Sequence, residues 1–424
     1  MVLLFTATTA FAGSAHPVEL AALALAFLGL SSTIPTLITA IFSGTIADRT
    51  DRLHLMRWTN AAALFATAAV VALLYFRPSA AVAVPGRPDF FFPEWVVLLY
   101  PLWAIETTAV TLFRPAFNAS LPQVVGRPEL GRANGLVYAT ALVLSVSASL
   151  LAGWLTNTSG AAVALAVPIV LFGFTMLLLA FAGTPLPPER TEPLSPFLTE
   201  AKEGYGYLWN RRPLLALTLA ALAVNFFSAV AFVELGLYVV DWLGVSQAIL
   251  VGAMMAGGSL GAAAGTLLIN RFRFEERAGS VMTLLIVFQG ASVGVLGLVH
   301  TIWIALPDMF LFGLFPGMFT TVLLATIQST VPNRILGRVL AADEVGSFAM
   351  IPVGQWVGGL VTAVAGIPMA YFAAGGGTVA VGILMSLYGG LRRLGFNPSD
   401  PARGSGVSSP PSAPLDERDA GLSD

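Results

Sequence analysis

Eleven stretches of this chain are each long and apolar enough to cross a bilayer, which leaves few ways for it to fold. They are Leu20–Ala47, Thr59–Phe76, Trp95–Phe113, Ala133–Leu155, Ala161–Ala182, Leu214–Val240, Ser246–Ile269, Ser280–Val299, Ile302–Ile327, Val339–Ala365 and Met369–Leu391. A spanning helix needs about 20 apolar residues, and in lipid each backbone polar group must be bonded inside its own helix or within a closed barrel. Runs of this length read as helices, so the chain is an all-α integral membrane protein. Composition agrees: 56% of the residues are hydrophobic and only 10% charged, against roughly 25% charged in a soluble protein. Ahead of the full spans lies Val2–Ala12, a stub of about 16 Å at helical rise and half a bilayer. We expect a start codon placed too late or a truncated first helix. A signal peptide ending at Ala10-Phe11-Ala12 is the weaker reading, because no basic residue precedes the run and more membrane follows it.

The same composition removes several classes of function. Net charge is −2 and Lys202 is the only lysine, so no basic patch for nucleic acid exists. Cysteine is absent, and His16, His54 and His300 lie too far apart for ligand spacing, so neither a metal nor another cofactor is expected. No Gly-x-x-x-x-Gly-Lys-Ser/Thr loop is present to power a pump, and no interfacial constellation of His, Asp or Ser suggests an enzyme.

The loops set the orientation. All but two of the 21 basic residues fall on one side when the spans are counted in alternation; the exceptions, Arg77 and Arg87, sit in a Pro-rich insertion, Arg77–Glu94. By the positive-inside rule that side, and the C-terminus with it, is cytoplasmic, which suits a multi-pass protein of the cell (inner) membrane. The organisation expected is a first bundle over 1–182, a cytoplasmic linker over 183–212, a second bundle over 213–394 and a disordered cytoplasmic tail over 395–424. Within the linker, Phe197–Trp209 alternates apolar and charged residues as a short interfacial helix would.

The two halves echo each other. Asn118-Ala119-Ser120-Leu121-Pro122 is matched by Gln328-Ser329-Thr330-Val331-Pro332, Leu130-Gly131-Arg132 by Leu336-Gly337-Arg338, and Gly153 by Gly359. The last two pairs share one offset of 206 positions. Such a repeat describes two six-helix bundles related by an axis along the membrane normal.

Between the first two full spans sits Gly44-Thr45-Ile46-Ala47-Asp48-Arg49-Thr50-Asp51-Arg52. An aspartate at a helix boundary can pair with arginine or with a neighbouring helix N-terminus, which suits a latch between two halves that approach and part; anchoring of the loop arginines to anionic lipid is the alternative. The pattern Gly-x-x-Ala-Asp-Arg-x-x-Arg resembles the signature loop of the major facilitator superfamily. Phe113-Arg114-Pro115-Ala116, Arg132-Ala133-Asn134-Gly135-Leu136 and Ala201-Lys202-Glu203-Gly204-Tyr205-Gly206-Tyr207-Leu208 resemble one branch of it, which includes macrolide and enterobactin (siderophore) exporters. The resemblance runs from about Gly13 to Leu394. It implies the major facilitator fold, two pseudo-repeat six-helix bundles with a central cavity, and proton-driven export. The latch set is Gly44, Asp48, Arg49, Asp51, Arg52, Arg114, Arg132 and Arg338. One departure is Ser147-Ala148-Ser149, where many drug/proton antiporters carry Gly-Pro.

Buried acids are where coupling to protons would live. Glu106 falls mid-span, where a carboxylate is costly unless it faces the protein interior; a structural acid bonded to a neighbouring helix is the alternative. Glu234 is a second candidate, near the outer end of its helix and open to an interfacial reading; Asp308 and Glu19 read as boundary residues. Analogy with the family points to helices one, four, seven and ten for the cavity, hence Trp103, Asn225, Phe226, Phe310 and Phe315, aromatics with few polar groups that suit an amphipathic substrate. Each aromatic equally fits plain helix packing. Gln289 and Gln355 are polar at depth, as interhelical glue would be.

The function expected is therefore a monomeric secondary carrier exporting an amphipathic small molecule against protons by alternating access. A lysophospholipid or other lipid flippase, which would have a laterally open cavity, and a nutrient uptake carrier are the alternatives within transport. A non-transporting receptor or scaffold is the reading from another class.

Overall fold

The computed structural model describes residues 2–389, apart from 12, 15, 79, 85, 86, 127, 128, 183–196 and 273–276. The expected tail over 395–424 and the first part of the linker lie outside the described residues. Among the described residues eleven helical segments are long and apolar enough to cross a membrane, as the sequence implied, the one over Ile335–Ala365 being counted across a break.

The first half opens with α1 (Val2–Thr9), which packs against α2. Then come α2 (Pro17–Arg49), α3 (Arg52–Phe76), α4 (Glu94–Val125), α5 (Leu130–Ser159) and α6 (Ala161–Phe181). Linker helix α7 (Phe197–Asn210) follows where an interfacial helix was expected. In the second half α8 (Arg212–Val233) continues through Glu234 into α9 (Leu235–Leu237) and a π-helical turn, Tyr238–Trp242. Next are α10 (Ala248–Ile269), α11 (Ala278–Leu296), α12 (Ile302–Thr330), α13 (Asn333–Phe348), α14 (Ile351–Ala365) and α15 (Ile367–Leu387). The run read as one span from Val339 is two helices, α13 and α14, broken at Ala349 and Met350 just before Pro352. Proline has no N–H to give and crowds the preceding turn, which accounts for a break there.

The insertion Arg77–Glu94 holds a two-stranded antiparallel hairpin, β1 (Ala81–Val84) against β2 (Arg87–Pro93), with Val82 opposite Phe92. Phe92 is buried, its ring 5.4 Å from Phe11 and 6.3 Å from Phe27. The hairpin therefore covers α2 and the turn that follows α1, while Arg77 lies over the Trp95 ring at 5.7 Å.

Within the first half α4 packs on α2 and α3, and α6 on α3 and α5; within the second, α10 packs on α12, α11 on α12 and α15, and α8 on α14 and α15. The halves meet chiefly along two helix pairs, α5 with α10 and α2 with α14, while α1 and α2 also touch α9. Small residues let the backbones close in, which in lipid replaces the missing hydrophobic drive. A Cβ at Gly153 would lie 2.7 Å from Ile249 Cα of α10, and one at Gly359 would lie 2.7 Å from the Ala22 carbonyl of α2. Polar links cross both seams: Thr33 donates to Gln355 Oε1 at 2.9 Å, and Ser145 bonds to Ser259 at 3.1 Å. These bonds lie near mid-helix, and the glycine contacts extend from there toward the end opposite the arginine-bearing loops. Along α2 burial falls toward the basic end: Leu20, Ala21, Ala22, Ala24 and Leu25 are buried, whereas Ile34, Ile38 and Phe42 are exposed.

Candidate functional site

The loop between α2 and α3 is short because Asp51 starts α3 at once: its Oδ1 accepts from the His54 N–H at 2.8 Å, capping the helix. Arg52 follows, buried, and its Nη1 donates to the Ala119 carbonyl of α4 at 2.7 Å. Arg57 reaches the far end of α6, where Nε and Nη2 donate to the Leu179 carbonyl at 3.0 and 2.7 Å and Nη2 also to Ala182 at 3.2 Å. A cation there meets both the orphan carbonyls and the negative pole of α6. Arg52 and Arg57 thus tie α3 to its own half. Arg57 was seen in the sequence only as one more positive charge.

Of the other latch candidates, Arg49, Arg114 and Arg132 are exposed. Gly44 and Asp48 fall within α2, and the Asp48 side chain lies outside the described residues. Arg338 belongs to the second half, on α13, where it pairs with Glu203 of α7.

Glu106, on α4, is partly buried and faces the Thr67 hydroxyl of α3. Glu234 is fully buried, which corrects its interfacial alternative: α9 and the π-helical turn carry the chain on past it, and α14 and α15 cover it. Asp308 is also buried rather than a boundary residue, and accepts from the Ser292 hydroxyl at 3.1 Å.

One acid escaped the sequence reading. Asp343 of α13 is buried and accepts a hydrogen bond from Thr218 of α8. The signal was the pair Asp343-Glu344 just inside an apolar run. Beside this bond α7 docks on α13, with Gly204 against the Arg338 backbone and Ala342. Tyr205 of α7 faces Asp343, and burial followed by that carboxylate raises its phenol above the ordinary value.

The cavity candidates separate. Trp103 and Phe226 pack on one core cluster, whereas Phe315 packs on another and stacks on Phe288 of α11 at 5.6 Å. Asn225 donates to the Ser347 carbonyl of α13 at 3.0 Å, and Phe310 packs its carbonyl against Gly261 of α10. The polar pair at depth does join helices: Gln355 crosses the halves, and Gln289 donates to Ser228 of α8 at 3.0 Å. A groove of about 580 Å³, lined by Pro35, Leu55, Trp58, Thr59, Ile105 and Thr108 among others, lies between α2, α3 and α4. It is apolar and open on one side, with Trp58 and Ile105 exposed at its walls.

Comparison with known proteins fits this geometry. Enterobactin exporter EntS of Citrobacter koseri is 27% identical over 297 residues, 68% of each chain. The Shigella flexneri exporter of the same name is 25% identical over 282 residues, so that this chain spans 64% of its length. Among solved structures, a bacterial homolog of the human lysosomal transporter Spinster, in an inward-facing and unoccupied conformation, superposes with a TM-score of 0.63 at 15% identity over 94% of this chain and 96% of that one. A D-xylose–proton symporter gives 0.62 at 14% identity over 91% and 92%; these two likenesses speak for the fold alone. The family model described as Major Facilitator Superfamily matches residues 88–342. With that match across more than half its length, two helical halves joined along two glycine-lined seams and eleven spanning helices, the chain is a transporter of the major facilitator superfamily, and not an enzyme.

Proposed function

We propose that this transporter exports amphipathic small molecules, siderophore-like or drug-like, in exchange for protons, by rocking its two halves about the seams α2–α14 and α5–α10. The observation that carries the reading is the one-sided packing of those seams. Glycines close them toward the end opposite the arginines, while α2 passes from buried Leu20, Ala21 and Leu25 at that end to exposed Ile38 and Phe42 at the basic end. A carrier caught open toward its basic end would look like this. With 19 of 21 basic residues at that end, the open side and the C-terminus are cytoplasmic, the side from which an exporter loads. Likeness to enterobactin exporters favours export and a siderophore-like cargo. For protons the candidates are Glu106, beside Thr67, and the buried Glu234. The latch arginines would engage across the halves only in the opposite closure. The transporter acts as a monomer.

A second reading, movement of a lysophospholipid, draws support from the apolar groove between α2, α3 and α4, which is open on one side. The test is a panel in proteoliposomes carrying an internal pH dye: siderophores, macrolides and lysophospholipids, each added against a set proton gradient. Proton movement driven by siderophore or macrolide supports the first reading. Substrate movement without proton movement removes the coupling, and movement of lysophospholipid alone replaces the cargo.

A further inference from the structure

Glu234 sits in the break between α8 and α9 with no exposure, and neither carboxylate oxygen has a hydrogen-bond partner. Two hydroxyls from other helices share this condition. Thr362 Oγ1 on α14 and Tyr371 OH on α15, each 1% exposed, are also unpartnered. Thr362 faces the Glu234 carboxylate, and Tyr371 lies within electrostatic reach of it. Two buried, unpartnered hydroxyls, from α14 and α15, thus stand in the surroundings of a buried, unpartnered carboxylate. Buried polar groups are normally bonded, and such a cluster asks for an explanation.

The surrounding charges offer none. The Tyr238 ring of the π-helical turn packs on Tyr371 at 4.8 Å, and Asp308 of α12 acts electrostatically on Tyr238. Helices α1, α11 and α14 contain no ionisable residue. On α2, which touches α9, the nearest acid in sequence is Glu19, paired with His16 at 3.5 Å and partly exposed. Among the described residues no cation faces Glu234. An ionised carboxylate here would be buried and uncompensated. A proton removes the charge and supplies a donor, and the Thr and Tyr hydroxyls can each donate and accept.

The location matters as much as the chemistry. One turn before Thr362, α14 is wedged between α8 of its own half and α2 of the other: a Cβ at Gly358 would lie 2.6 Å from the Val230 carbonyl of α8, and Gly359 backs onto Ala22 of α2. Anything that pushes α14 off α8 disturbs the seam with α2. Resting on the alternating-access part of the reading above, we propose that Glu234, Thr362 and Tyr371 form a proton-binding site whose occupancy holds the end opposite the arginines closed. Protonated, the carboxyl bonds the two hydroxyls and α14 stays wedged. Ionised, it draws in water, α14 leaves α8, and the seam opens.

The chain has no cysteine, so Thr158→Cys on α5 and Gln247→Cys ahead of α10 put one spin label on each half at this end. Both positions are exposed. Distances between the labels are read by pulsed electron resonance in lipid nanodiscs from acid to alkaline pH. A short-distance population dominant in acid and lost severalfold in alkali is expected. Glu234→Gln, neutral throughout, should keep the short distance at every pH. Thr362→Val and Tyr371→Phe, which each remove one partner of the neutral carboxyl, should shift the transition to lower pH, and they decide the matter if Glu234→Gln does not fold. A wild-type distance indifferent to pH, a transition unchanged in these variants, or one that follows sodium rather than pH would overturn the proposal. The site stands if the Glu234-dependent transition is present while substrate drives no proton movement; only the coupling assigned above would then fall.

Discussion

Gly153 and Gly359, 206 positions apart, occupy equivalent places in the two halves: each is where its helix touches the backbone of the opposite half, Gly153 at Ile249 and Gly359 at Ala22. The same offset relates Ser149, whose carbonyl backs onto Gly252, to Gln355, whose side chain backs onto Gly29. The sequence repeat is thus most visible at the surface along which the halves meet. A seam made of bare backbone has little side-chain interlock to break, which suits two bodies that must part and rejoin.

A side chain at either glycine should spoil the seam. Gly153→Val and Gly359→Val would force atoms into the 2.7 Å gaps at Ile249 and Ala22. Each is expected to cost about 1–3 kcal/mol of overpacking, seen as a lower thermal midpoint in detergent. Relief comes by parting the halves, so thiol labelling at Gln247→Cys should speed up in both.

Arg57 should matter for stability and not for alternation, because its partners, Leu179 and Ala182, are in its own half. Arg57→Ala is expected to lose about 1–3 kcal/mol, as charged hydrogen bonds to helix-end carbonyls do. Arg57→Lys, with one ammonium in place of a forked guanidinium, should recover only part. Thermal melts of the three proteins check both statements.

Two polar pairs bind α13 to its neighbours and should differ in strength. Arg338 and Glu203 are 35% and 41% exposed, so a double-mutant cycle to alanine should give a coupling of at most about 1 kcal/mol. Asp343 and Thr218 are buried, and Thr218→Val should cost about 1–3 kcal/mol by leaving the carboxylate without its donor. Loosening α13 also frees α7, so trypsin should cut at Lys202 and Arg211 faster in Thr218→Val than in Arg338→Ala.

Glu106→Gln is expected to abolish substrate-driven proton movement in proteoliposomes while the protein still folds. Thr67→Val, which removes the hydroxyl facing Glu106, should slow that movement without stopping it. Equal proton movement in wild type and Glu106→Gln would take Glu106 out of the coupling.

Much of the architecture could be read from apolar runs alone, because lipid allows so few solutions. What the runs missed has a physical pattern. Helix α3 begins at Arg52, seven residues before its apolar run, since Asp51 caps it and its polar first turns pack on α4 and α6. The hairpin at Ala81–Pro93 was illegible because it carries prolines that usually argue against strand. Glu234 looked interfacial because depth was judged from one helix, whereas its burial comes from α14 and α15 far along the chain. Asp343 was passed over for the same reason: its partner, Thr218, is 125 positions away. Pattern along one helix reports lipid; what another helix brings to a buried acid it does not report.

The central claim, that transport requires the halves to part along the seam between α5 and α10, can be tested with one bond. The Ser145 and Ser259 hydroxyls are 3.1 Å apart, and the chain has no other thiol to confuse the result. Ser145→Cys with Ser259→Cys, reconstituted with a transported substrate, should move it when reduced, stop when oxidised to the disulfide, and recover on reduction. Full transport by protein shown to be cross-linked would contradict the account.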